Sequence, residues 1–87
     1  MVYVIVKHTI SDIKKWRRIF DEAAEIRKLA GEKSSRIFLD KHNLLIGIFD
    51  FEDEETAREF LASDEVKAKM KEAGVIDKPE FYYMKEV

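Results

Sequence analysis

Two histidines, His8 and His42, are the only side chains of this chain whose ordinary titration falls near neutral pH. His8 follows an apolar run in alternating register with Val2, Val4 and Val6, so on a strand it shares their face. An imidazole placed there can take a proton from a bound molecule and return it. The plainer role is a strand-end histidine bonded to backbone or buried at a contact with a second copy. His42 sits in the polar run Lys41-His42-Asn43 and reads as solvated. Around His8 the sequence offers flat side chains: Trp16, Phe51, Phe60 and Tyr82. Each serves either as core packing or as a wall on which a planar ligand stacks. Tyr82 and Tyr83 must point to opposite faces of a strand, so one turns toward the helices and the other toward a dimer contact. Arg36 is the candidate anion-binding cation; pairing across a three-residue turn sets it opposite Asp50, where a cross-strand ion pair is the ordinary role.

Other chemistries lack their residues. There is no cysteine, hence no disulfide, thiolate metal site or iron–sulfur ligation. No Gly-rich phosphate loop, Ser/His/Asp spacing or metal-ligand cluster occurs, and no cofactor is expected. Asp53, Glu54 and Glu55 are consecutive, so on a helix they point in different directions and mark its start. Lys14, Lys15, Arg17 and Arg18 alternate with apolar positions and face Asp21 and Glu22 in sequence, a solvated face. With a net charge of −2, neither nucleic acid nor an anionic membrane is an expected partner. No apolar run approaches the ~20 residues of a membrane span, and the N-terminus lacks the pattern of a secretory signal, so a cytoplasmic location is expected. Gln is absent, Asn43 is the single asparagine, and Lys and Glu abound, the usage of proteins from hot environments.

The elements that must hold these residues alternate. Val2–Thr9 is short and β-branched, a strand. Ser11 offers an N-cap, and Ile13, Trp16, Ile19, Phe20, Ala23, Ile26 and Ala30 form a helical stripe that Gly31 closes. Residues 35–40 and 44–51 read as a hairpin with Asn43 at positive φ in its turn. Asp53 caps a second helix, which Ser63 interrupts and Gly74 ends, and residues 80–86 form the last strand. This order predicts an α+β, ferredoxin-like βαββαβ fold over residues 1–87: a four-stranded antiparallel sheet with helices on one face and the first and third strands central.

Both faces of the central strands are apolar. Tyr3 and Ile5 oppose the valines of the first strand; Leu44, Ile46 and Ile48 oppose Leu45, Gly47, Phe49 and Phe51 in the third. Exposing a Val- or Ile-sized side chain forfeits roughly 1.5–3 kcal/mol, and a chain this short has no second layer to spend on that face. A sheet-to-sheet homodimer is therefore expected.

The segments Val6-Lys7-His8-Thr9-Ile10-Ser11-Asp12 with Trp16 and Phe20-Asp21, then Asp50-Phe51-Glu52-Asp53 with Ala57-Arg58-Glu59-Phe60, then Lys71-Glu72-Ala73-Gly74-Val75 with Pro79-Glu80, resemble the dimeric α/β-barrel proteins related to antibiotic-biosynthesis monooxygenases and cyclase-like domains. The resemblance spans nearly the whole chain. It implies a dimer whose two sheets form a barrel and, in each subunit, a cleft between sheet and helices. It also implies chemistry on aromatic or apolar molecules without a metal or flavin. The haem-degrading branch needs a Trp and a His where Phe51 and Val66 stand here, and an Asn in the first strand, which has none. The function expected from the resemblance is a cofactor-independent monooxygenase or cyclase with His8 as base. The alternative is a non-catalytic or stress-related dimer that binds a small ligand; an amino-acid-sensing module is a third, weaker fit.

Overall fold

The computed structural model describes residues 1–87. In chain order it contains β1 (Val2–Thr9), α1 (Ile13–Glu22), α2 (Ala24–Leu29), β2 (Glu32–Leu39), β3 (Leu44–Phe51), α3 (Glu54–Leu61), α4 (Asp64–Glu72) and β4 (Glu80–Met84). The strands form one antiparallel sheet in the order β2-β3-β1-β4, so β1 and β3 are central as expected. No helix is long and apolar enough to cross a membrane.

The expected first helix is two. Ala23 lies between α1 and α2 with φ −89° and ψ 6°, and its N–H is shared between the carbonyls of Ile19 and Phe20. That tightening turns the chain between Phe20 and Ile26 without a Gly or Pro, so spacing alone gives no sign of it. The cap also differs. Asp12, not Ser11, closes the N-terminus, its carboxylate accepting from the Lys14 N–H at 3.1 Å. Ser11 instead donates its N–H to the Gly74 carbonyl at 3.0 Å. Gly74 has φ +87°, and a Cβ there would come within 2.5 Å of the Ser11 Oγ, so glycine is required twice over. Asp53 and Ser63 cap α3 and α4, as their positions predict, bonding the N–H groups of Thr56 and Val66.

The β2–β3 hairpin closes with the Asp40 N–H on the Leu44 carbonyl, and Asn43 takes φ 64°. This closure pairs Leu39 with Leu45, which sets Arg36 opposite Ile48 and Ser34 opposite Asp50. The expected Arg36–Asp50 pair does not form, because the register is two residues away from the one that would oppose them. β2 begins earlier than expected, at Glu32, with an irregularity between Glu32 and Ser34. β4 ends at Met84 rather than Glu86.

Alternation sorts the central strands. Val2, Val4, Val6 and His8 of β1 face the helices together with Leu45, Phe49 and Phe51 of β3, and all are buried. Ile5, Ile46, Ile48, Tyr82, Met84 and Phe38 lie on the other face, which no element of the chain covers.

Candidate functional site

The two helical arms, α1–α2 and α3–α4, both rest on the sheet but make few contacts with each other. Between them lies a cavity of about 90 Å³. Its floor is Val6, His8, Leu45, Phe49 and Phe51 of the sheet; Trp16, Ile19 and Phe20 form one wall, Val66 and Ala73 the other. Ile26, Arg27, Phe60, Leu61, Lys69 and Met70 complete the lining. Trp16 and Phe51 line this space rather than fill it.

His8 is 3% exposed, and neither ring nitrogen has a hydrogen-bond partner. A buried polar group normally finds one, so an imidazole with both nitrogens free at the floor of a cavity is an acceptor and donor in waiting. Burial pushes its pKa below the ordinary 6.5, because the apolar surroundings disfavour imidazolium. The Asp77 carboxylate works in the opposite direction. Asp77 is fixed just before β4 by the Thr9 N–H, which donates to it at 2.8 Å and holds its carboxyl below the usual range. Burial thus favours the neutral imidazole, with a carboxylate near enough to favour its charged form.

One wall is a continuous stack. The His8 and Trp16 rings lie 6.2 Å apart and tilted; Trp16 and Phe20 stack at 4.6 Å, 13° from parallel; the Arg27 guanidinium lies 3.6 Å from the Phe20 ring centre. Arg27 then bonds Glu32 at 2.9 Å, both side chains being close to fully buried. Burial lowers the pKa of Arg27 and raises that of Glu32, and each charge offsets part of the other's shift. The pair sits at the Phe51 end of the sheet and His8 at the Leu45 end, with the Trp16 and Phe20 rings between them.

Of the residues singled out from sequence, His8, Trp16, Phe51 and Phe60 come together here. Tyr82 and Arg36 do not. Tyr82 pairs with Ile5 on the uncovered face, 41% exposed, because β4 enters the sheet with Tyr83 opposite Val4. Tyr83 is the tyrosine turned toward the helices, and the Arg58 guanidinium covers it at 3.9 Å. Arg36 is exposed beside Phe38 on the uncovered face. Neither Asp77, which acts across the fold, nor Arg27 stands out by type or spacing. Arg27 flanks the apolar stripe at Ala23 and Ile26, a position that looks solvated until the chain turns at Ala23. Phe51 and Val66, where the haem-degrading branch has Trp and His, both line the cavity.

No family model matches the chain, and no curated protein matches it. Solved structures do. An antibiotic biosynthesis monooxygenase is similar over 100% of this chain and 99% of its own, with a TM-score of 0.73 at 16% identity. SnoaB, a cofactor-independent oxygenase from Streptomyces nogalater, matches with a TM-score of 0.72 at 13% identity, covering 99% and 94%. A monooxygenase of Streptomyces coelicolor in complex with the ligand nanaomycin D matches at 0.63 and 14%, covering 99% and 87%. The chain therefore has the fold of the antibiotic-biosynthesis-monooxygenase-like proteins, as the sequence resemblance implied.

Proposed function

We propose that this chain is a cofactor-independent monooxygenase or cyclase-like enzyme, acting on a small aromatic or apolar molecule held between its helical arms. The observation that carries this reading is His8, buried and unpartnered at the floor of an otherwise apolar cavity. A neutral imidazole there takes a proton from an acidic C–H or O–H of the substrate, while Trp16 and Phe20 hold the substrate's plane. The imidazolium so formed is stabilised by the Asp77 carboxylate. The substrate anion left behind is electron-rich. In an oxygenase it gives electrons to dioxygen and bonds to it as a hydroperoxide, the proton returning from His8, and O–O cleavage with loss of water leaves the oxidised product; in a cyclase it attacks an internal carbonyl, whose oxygen takes the proton. Apolar walls exclude water, which keeps that anion from simply regaining a proton.

The working assembly is a homodimer through the uncovered sheet face, where Ile5, Ile46 and Ile48 are otherwise left in contact with water. The solved relatives support the reading by fold, and one of them is described as a cofactor-independent oxygenase.

Oxygen uptake with a panel of small activated aromatic substrates tests it. Wild type consumes oxygen without added metal or flavin, and His8→Gln lowers kcat by about 10²–10⁴ while the fold is retained. Activity unchanged in His8→Gln, or no turnover with any substrate that binds the cleft, contradicts it. Since His8 must be neutral to accept a proton and burial holds its pKa down, the acid limb of kcat/KM falls below pH 6.5.

A further inference from the structure

The cavity's size and its polar inventory define a narrower ligand class, on the premise that the cleft is the ligand site. An engineered apolar cavity of about 150 Å³ holds one benzene. The present one, at about 90 Å³, encloses less than that, so a single six-membered ring fits with its outer edge at the opening. A fused tricycle exceeds that volume, and the stacked wall of Trp16, Phe20 and Arg27 is pinned, member to member and through Arg27 to Glu32 and the Phe20 carbonyl, which resists its widening.

The polar groups choose the substituent. Besides His8, only Arg27 and Lys69 bring charge to the lining. Arg27 is committed to Glu32, and the Lys69 side chain is 40% exposed to water with Glu72 at 3.9 Å. No free cation is buried at the floor to hold a carboxylate, so an acid entering there loses its hydration without a partner. Neutral His8 presents one N–H donor and one lone-pair acceptor, both vacant. A hydroxyl can meet either nitrogen and can give its proton to the bare one. A methyl ether can only accept, and a hydrocarbon leaves both nitrogens unpaired.

We infer that the cavity is built for a single-ring phenol or enol, bound as the neutral molecule with its hydroxyl on His8 and its ring against Trp16. Fused polycyclic aromatics are excluded from the floor, and so are ring carboxylates.

The test is an NMR titration of the intact protein, following the His8 and Trp16 ring signals with p-cresol, 4-methylanisole, toluene, benzoate and 1,8-dihydroxyanthrone. The expected result is that p-cresol shifts both rings and binds at least tenfold more tightly than the ether, the hydrocarbon or benzoate. The tricyclic compound leaves the His8 signals in place. In His8→Phe the tenfold preference for p-cresol over toluene disappears; should that variant not fold, the comparison of p-cresol with its methyl ether on wild type decides the same point. Equal binding of p-cresol and toluene overturns the inference, as does tighter binding of the tricyclic compound, or the absence of any shift at millimolar ligand. Failure here is separable from failure of the enzymatic reading. Binding of p-cresol with no oxygen uptake or ring closure for any phenol or enol contradicts the enzyme and leaves the ligand class standing. Turnover of the tricyclic compound alone does the reverse.

Discussion

The two faces of one sheet have been put to different uses. On the helix-covered face, alternation delivers Val2, Val4, Val6 and then His8, so the single polar residue falls where the helical arms part. On the other face the same strands deliver Tyr3, Ile5 and Lys7, with Ile46, Ile48 and Asp50 beside them, half-buried and without a covering layer. Polar groups on the covered face are rare and enclosed: His8, which has no partner, and Glu32, paired with Arg27. On the open face they are distributed among apolar residues: Lys7, Arg36, Glu80 and Asp50, the last with one buried carboxylate oxygen that has no partner within the chain. The first pattern isolates one imidazole from water. The second leaves apolar residues uncovered with charges among them, the surface that the proposed sheet-to-sheet dimer would bury, its charged residues fixing how the two faces align.

Substitutions on the two faces should therefore fail differently. Phe51 is 1% exposed and touches both the cavity and the core, so Phe51→Ala should cost about 3–5 kcal/mol in urea unfolding. A loss under 1 kcal/mol would mean that the covered face is loosely packed. Ile48→Lys on the open face should leave each subunit folded and abolish the dimer. Sedimentation equilibrium at micromolar concentration then gives 10.3 kDa where wild type gives twice that. An unchanged mass breaks the assignment of that face.

Between pH 7.5 and 5, acid should act through His8 on the covered face. With His8 held below 6.5, the unfolded chain binds a proton in the interval where the folded chain does not. This contribution to stability is complete above about pH 6.5. It declines as pH falls through that value and stops declining below the folded pKa. Urea midpoints from pH 7.5 to 5 should show the decline in wild type and its absence in His8→Gln. The smallest effect belongs to Arg36→Ala: with no ion pair to lose, it should stay within about 0.5 kcal/mol for the folded subunit.

The fold was legible because local signals and the global pattern agree. Period-two apolar runs gave β1 and β3 their observed bounds, Asp53 and Ser63 marked helix starts, and Gly31 and Gly74 adopt the positive φ that helix ends demand. Arg36 was misplaced because hairpin register depends on which residues close the turn, and a shift of two preserves every side chain's face while changing every partner. The break at Ala23 carries no Gly or Pro and was invisible. Within the site, His8 and Trp16 stood out by type and register, Phe51 and Phe60 by type. Asp77 and Arg27 were missed for a physical reason: each acts through a contact far away in sequence, Asp77 with Thr9 and Arg27 with Phe20 and Glu32. Periodicity reports which face a residue takes. It does not report what lies across from it.

The measurement that bears most directly on this account is the NMR pH titration of the His8 ring, with His42 in the exposed turn as the internal reference. A base enclosed in an apolar cavity titrates with a midpoint below 6.5, and that midpoint stays fixed when protein concentration is varied across the dimer equilibrium. A midpoint at or above 6.5, or one that moves with concentration, would place His8 in water or at the subunit contact and contradict the assignment.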